Sequence, residues 1–240
     1  MKPILEVEDL TVTWPGGGRV LDGLSFSLAA GELVGIVGSS GGGKSTLCLT
    51  LAGIIPRQLD AEVGGQVRFL GRDLSVLSLP EITAELSLVF QDPETQLFLP
   101  RVMNELAFGP ENLCIAVPEI RDRIAAVAQE TGCQELLEAN PNELSGGQQQ
   151  IVALAAVLAM EPRLLILDEV TAQLDPESCE RIQDIKASLR QRGVAVLMVE
   201  HNLQQLLAAD RILALKEGRL EAAAGEWDEA WLYRVYGDDR

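Results

Sequence analysis

Histidine occurs once in these 240 residues and cysteine four times, while nineteen basic side chains face thirty-six acidic ones. Each scarcity closes off a class of function. One histidine and four cysteines without a C-x-x-C pair (Cys48, Cys114, Cys133, Cys179) argue against a zinc site or a disulfide framework. Reduced thiols in a cytosolic compartment are expected instead. A net charge of −17 disfavours sequence-independent binding to nucleic acid, so no nucleic-acid partner is expected. The longest uninterrupted apolar run, residues 151–160, falls far short of the roughly 20 residues that span a bilayer. No charged-then-apolar leader opens the chain. The expectation is a soluble, non-secreted protein that reaches a membrane only through a partner. Hydrophobic residues make up 47% of the chain, enough to build a real core in one domain or two small ones.

Against these absences stands one stretch of unusual density, residues 33–51. A short apolar run at residues 33–37 reads as a buried strand. Gly38, Ser39, Ser40, Gly41, Gly42, Gly43, Lys44 and Ser45 then fit G-x-x-x-x-G-K-[ST] at every fixed position, and a helix is predicted from Lys44 to about Ala52. The glycines let successive N–H groups point at one anion, and the helix start adds roughly half a positive charge there. Lys44 supplies a mobile ammonium for outer phosphates, and Ser45 a hydroxyl for Mg²⁺. The pattern predicts a nucleoside triphosphate site.

Around it the chain reads as follows. Residues 5–14 alternate acidic and apolar side chains, as a strand with an exposed face; a turn at 15–18 and a strand over about 24–28 follow. With a strand over 64–70, these form a small antiparallel layer. Trp14, before the flexible turn, either stacks on a flat base or simply packs at a strand edge. A strand over 86–90 runs into Gln91, and from there to Pro162 the pattern is helical: 102–108, 118–131 and 134–139, then a long helix to about 159 that opens at Ser145. Ser145, Gly146 and Gly147 at that helix start make a second anion site in one chain. A strand over 164–167 ends in Asp168 and Glu169. The pair either terminates the strand or serves chemistry, Asp168 holding Mg²⁺ and Glu169 polarising a water. A helix over 176–191, capped by Asp175, leads to a strand over 195–199 that ends in Glu200 and His201. That histidine is either a satisfied core imidazole or a ligand-facing group, since ligands sit at strand ends in open α/β sheets. The tail, 221–240, is expected to pack a short helix on the body.

Taken together, these motifs resemble the ATP-binding subunits of ABC transporters, and the likeness covers nearly the whole chain. GSSGGGKST, ending at Thr46, is similar to Walker A, LSGGQ (Leu144 to Gln148) to the family signature and LLILDE (Leu164 to Glu169) to Walker B. Gln91 matches the Q-loop, Leu174 and Asp175 the D-loop, and His201 the switch histidine. The resemblance implies an α/β P-loop nucleotide-triphosphatase core with a small antiparallel β subdomain and a helical subdomain carrying the signature. It implies ATP and Mg²⁺, with Glu169, His201 and Gln91 catalytic, Ser45, Gln91 and Asp168 at the metal, and Trp14 on the adenine. It also explains the second anion site. In that family two ATPase subunits pair head to tail, so the resemblance implies that Ser145, Gly146, Gly147 and Gln148 close on the partner's nucleotide.

Residues 89–113 resemble more closely the ATPases of energy-coupling-factor and cobalt-type importers, which take up vitamins or transition-metal ions. The resemblance makes the run after Gln91, with Leu97, Phe98 and Leu99 expected to be exposed, the face that meets integral membrane subunits at the cytoplasmic side. One ATPase domain is expected over 1–240: a core over about 1–91 and 162–220, a helical part over about 92–161, and the tail. Val170, Ile151 and Gln173 depart from the family pattern without removing a group that touches phosphate or metal. They leave homodimer and heterodimer both open. Among rivals, a DNA-repair or chromosome-type ATPase needs long coiled-coil or zinc-hook insertions that are missing here. A nucleotide-gated scaffold, with ATPase that only toggles a partner, shares the same motifs.

Overall fold

The computed structural model describes residues 2–172 and 174–222. In chain order it runs β1 (Leu5–Thr13), β2 (Arg19–Leu28), β3 (Leu33–Val37), α1 (Lys44–Leu51), β4 (Glu62–Phe69), β5 (Arg72–Asp73), α2 (Leu79–Thr83) and β6 (Leu86–Val89). The helical stretch follows: α3 (Val102–Asn112), α4 (Val117–Thr131) and α5 (Gly146–Leu158). The chain then returns through β7 (Leu164–Asp168), α6 (Pro176–Gln191), β8 (Ala195–Val199), α7 (Leu203–Leu206), β9 (Arg211–Lys216) and β10 (Arg219–Ala222).

Two sheets result. An antiparallel one has the order β2-β1-β4-β5; a six-stranded one has the order β10-β9-β3-β8-β7-β6 and is parallel except for β10. The parallel strands read as continuous apolar runs because both of their faces are covered. Val34 and Ile36, Leu164 and Ile166, and Leu197 and Val199 point into a core shared with the antiparallel sheet. Leu33, Leu165, Leu167, Val196 and Met198 point the other way, into a second core under α3 to α6. That alternation follows from the two-residue period of a strand. β1 buries Leu5 and Val7, then Leu10 and Val12, so its inward phase changes by one residue. The change falls at Asp9, whose φ of 51° lies where the pairing with both neighbouring strands slips, and a β-bulge re-aims the strand.

The segment 134–139, expected as a helix, makes only one 3-10 turn, Gln134–Leu136. Its carbonyls have another use: Leu137 O and Ala139 O accept the first free amides of α3, from Met103 and Val102. α3 in turn runs past the predicted end at residue 108 and through Pro110 to Asn112. β2 begins at Arg19, five residues earlier than expected, and the β9–β10 hairpin was not anticipated. Glu221 and Ala222 belong to β10, and the rest of the expected tail helix lies outside the described residues.

The parallel order brings the carboxyl ends of β3, β8, β7 and β6 side by side along one edge of the sheet. The loops that leave them are those at Gly38, Glu200, Glu169 and Phe90. This edge is where an open α/β sheet binds its ligands.

Candidate active site

The loop after β3 is shaped by two close approaches. A Cβ on Gly38 would stand 2.2 Å from the Leu215 carbonyl oxygen of β9, so any side chain there would displace backbone. Gly43, at φ 97°, caps α1, and a Cβ on it would meet Leu21 at 2.9 Å. No side chain caps the start of α1, and its first turn carries no acid, which leaves the amides and the positive helix end facing the loop. Lys44 opens that helix and is buried. Its ammonium donates to the Gly38 carbonyl at 2.9 Å and the Ser39 carbonyl at 3.0 Å, across the mouth of the loop. Ser45 and Ser40 are exposed, and Thr46 is half-buried with its carbonyl taking the Thr50 hydroxyl.

Asp168, the last residue of β7, is buried, and its Oδ1 has no hydrogen-bond partner. Burial pushes its carboxyl above the ordinary carboxylate range, while the neighbouring Ser45 hydroxyl and Lys44 ammonium act in the opposite direction. A buried, unsatisfied carboxylate oxygen beside a serine hydroxyl is a hard oxygen pair of the kind that takes Mg²⁺ together with phosphate oxygens. Among the described residues there is no group of three or more His, Cys, Asp or Glu side chains placed to hold a metal ion by themselves. Cys48 lies under the same loop; burial, and then the Asp168 charge, push its thiol well up.

Glu169 is the hub. His201 Nε2 lies 2.7 Å from its Oε1, Gln91 donates through Nε2 to its Oε2 at 3.0 Å, and the Lys44 ammonium stands 3.7 Å from Oε1. Its backbone sits at φ 52°, a left-handed conformation costly for a residue with a side chain, and its N–H bonds to Val199 O. The structure thus brings together residues from four separate strand ends: Lys44, Gln91, Asp168 with Glu169, and His201. Gln150, buried on α5, holds the Phe90 carbonyl at 3.0 Å and so fixes the approach to Gln91.

Two predicted groups sit elsewhere. Trp14 follows β1, half-buried, and packs against the first core. Ser145 is the N-cap of α5, where its hydroxyl accepts from Gln148 N at 3.3 Å and Gln148 Oε1 accepts from Ser145 N at 3.0 Å. Ser145, Gly147 and Gln148 line a groove of their own with Thr131, Asp175 and Arg181. Gln173 lies outside the described residues; Val170 and Ile151 are buried in the second core.

A layer beneath the site escaped the sequence reading. Thr171 donates through its hydroxyl to Glu200 Oε1 at 2.7 Å, joining the two loops that carry Glu169 and His201. Both side chains are buried, and burial raises the Glu200 carboxyl. The available signal was a lysine, Lys186, standing in the apolar stripe of α6 among Ile182, Ile185 and Leu189.

Comparison with known proteins bears on this geometry. A family model described as ABC transporter matches residues 21–172. The energy-coupling factor transporter ATP-binding protein EcfA of Methanosarcina acetivorans is 39% identical over 218 residues, covering 90% of this chain and 78% of that protein. The energy-coupling factor transporter ATP-binding protein EcfA2 of Methanospirillum hungatei is 36% identical over 234 residues, 96% of this chain and 57% of that one. Among solved structures, cbiO1 from Clostridium perfringens, part of the ABC transporter complex cbiONQ, aligns with a TM-score of 0.78 and 32% identity over 92% of this chain and 88% of its own. A P-loop α/β core, an antiparallel layer and a helical stretch bearing LSGGQ accompany these matches, and the chain belongs to the ABC transporter family as an ATP-binding, ATP-hydrolysing member.

Proposed function

We propose that this chain is the motor of an importer of the energy-coupling-factor or cobalt type, one that takes up a vitamin or a transition-metal ion. The observation that carries the reading is Glu169, held at once by His201, Gln91 and Lys44 at the carboxyl edge of the parallel sheet. Lys44 and the amides of Gly38, Ser39, Ser40, Gly41, Gly42 and Gly43 grip the phosphates of ATP, with Thr46 beside them. The Trp14 indole stacks on the base. Mg²⁺, when bound, screens charge on the phosphates; Ser45, Asp168 and Gln91 would hold it. Glu169 takes the proton of the attacking water, and His201 and Gln91 orient that carboxylate toward the terminal phosphate.

The loop at Ser145, Gly146, Gly147 and Gln148 serves a second ATPase subunit paired head to tail, because the groove it opens on is lined by Thr131, Asp175 and Arg181 and not by Lys44. The chain acts as one ATPase domain, with its helical part over about 92–161 carrying both the signature and the face toward the integral membrane subunits. That face is narrower than its sequence suggested. Leu97 is 7% exposed and belongs to the core, Leu99 is half-buried, and Phe98 at 65% exposure stacks edge-on against the exposed Phe108, centroids 5.0 Å apart. No helix among the described residues is long and apolar enough to cross a membrane. In this reading it is the integral membrane subunits that hold the motor at the cytoplasmic surface.

The test is ATP turnover by the purified chain with and without its membrane subunits. Stimulation by those subunits is expected. Tight ATP binding with turnover that the membrane subunits leave unchanged would overturn the motor reading in favour of a nucleotide-gated scaffold.

A further inference from the structure

α6 turns one face to the second core through Ile182, Ile185 and Leu189, and Lys186 lies on that face, 1% exposed. A lysine in such a stripe is costly unless its ammonium is fully used. Here it donates to the Gln205 carbonyl oxygen at 3.2 Å and to Gln205 Oε1 at 2.9 Å, with Met198 Sδ at 3.7 Å. Gln205, also buried, returns a bond from Nε2 to the Cys179 carbonyl on α6, and Gln183 of α6 donates to the Gln204 carbonyl. Both Gln204 and Gln205 belong to α7, a single turn of four residues that starts two positions after His201. A helix that short has no stability of its own, so its place in the molecule is set by what it bonds to.

The same corner holds Glu200, tied to Thr171 as described. Burial lowers the Lys186 ammonium to about 8, and the Glu200 charge is the largest influence in the other direction. A buried cation and a buried carboxylate therefore stand behind the two loops whose tips meet at Glu169 and His201.

We propose that Lys186 is a positioning residue of the ATPase: by anchoring Gln205 it fixes the segment 202–206 and thereby the distance at which His201 meets Glu169. The inference rests on the roles given above to Glu169 and His201. It adds a group from a different helix that touches neither nucleotide nor water and acts through the histidine.

The experiment measures kcat, KM for ATP and nucleotide affinity in Lys186→Met, which keeps the length of the side chain and removes its charge. The expected result is a loss of about tenfold in kcat with ATP affinity within about twofold, the pattern of a group that acts only on the chemical step. Gln205→Met, which breaks the link from the α7 side, should reproduce that loss. In a His201→Ala background, Lys186→Met should change the residual single-turnover rate by less than about twofold, because the proposed route through the histidine is gone. A multiplicative loss in the double variant, or wild-type kcat in Lys186→Met, overturns the proposal. Wild-type turnover in His201→Ala is a different failure, that of the site reading itself.

Hydrogen exchange of the wild-type protein needs no variant. The amides of Gln205 and Leu206, which donate to the Asn202 carbonyl, should exchange about a hundredfold or more slower than an unstructured peptide. Exchange at the unstructured rate would show an unanchored segment and overturn the proposal.

Discussion

Replacing Glu169 with glutamine separates binding from chemistry, and the structure gives the sign of each effect. The amide keeps the shape that His201 and Gln91 contact at 2.7 and 3.0 Å but cannot accept the proton of an attacking water. Loss of a positioned general base lowers turnover by about 10²-fold or more, equivalent to roughly 2.7 kcal/mol of barrier. The ground state moves the other way. Glu169 also stands 3.7 Å from the Lys44 ammonium, and at an effective dielectric of about 20 that attraction amounts to ~4 kcal/mol before solvent screening. Glu169 is 18% exposed, so water weakens it, but ATP must still draw Lys44 out of this contact. Glu169→Gln should therefore bind ATP as tightly as the wild type or up to about tenfold more tightly, and accumulate as an ATP-bound dimer. Equilibrium titration with a fluorescent ATP analogue, paired with single-turnover phosphate release, reads both quantities. Wild-type turnover would show that another group handles the water. A tenfold loss of affinity would show that the carboxylate supports binding instead of competing for Lys44.

Three further outcomes follow from the same geometry. Asp168→Asn removes a buried charge whose Oδ1 has no partner, a defect of about 1–3 kcal/mol; without nucleotide and metal, its melting temperature should rise by about 2–4 °C per kcal/mol, while Mg²⁺-dependent turnover is lost. A lower melting temperature would contradict this. Phe98→Ala combined with Phe108→Ala should leave ATP binding unchanged but abolish stimulation by the membrane subunits, and intact stimulation would place the docking face elsewhere. Burial lowers Lys186 from its ordinary 10.5 to about 8, so between those values the unfolded chain binds more protons than the folded one, and this group's contribution to stability rises with pH across that window. Denaturant titrations from pH 8 to 10 should show the rise in wild type and its loss in Lys186→Met, and an unchanged slope would refute it.

Where the physics is local, the sequence was legible. The run 33–37, the glycines after it and Lys44 specify strand, loop and helix within twenty residues, and β3 and α1 start where expected. Asp175 ahead of Pro176 likewise marks the start of α6, with its carboxylate accepting from Ser178 N at 2.9 Å. What failed depended on distant partners. Residues 134–139 have a helical pattern, but their carbonyls are drawn to the start of α3. Leu97, with Phe98 and Leu99, stands in an otherwise polar stretch that predicts exposure, yet after a 3-10 turn at Pro93–Thr95 it lies in the core. Glu105 fixes the turn that displays Phe98: from α3 its buried carboxylate accepts the amides of Phe98 and Leu99. Lys186 leaves one local trace, a charge in the apolar stripe of Ile182, Ile185 and Leu189, but its partner Gln205 comes from a different element and only the fold brings the two together. The edge of the sheet that gathers Lys44, Gln91, Asp168, Glu169 and His201 was readable as a list of motifs; their meeting around one carboxylate required the strand order.

The central claim is that each ATP is shared, with Lys44 supplied by one chain and Ser145 by the other. On the proposed arrangement, Lys44→Ala should spoil the nucleotide held by its own chain, and Ser145→Arg the closure given to a partner. A homodimer of either has two broken sites. A mixed dimer, isolated through two different tags, has one site with both defects and one with neither. If the natural partner is a different ATPase, one substitution goes on each chain. The account predicts that the mixed dimer regains ATP-dependent closure at one site and turnover up to about half the wild-type rate, as independent sites require. A mixed dimer that forms and yet regains neither closure nor turnover would contradict it.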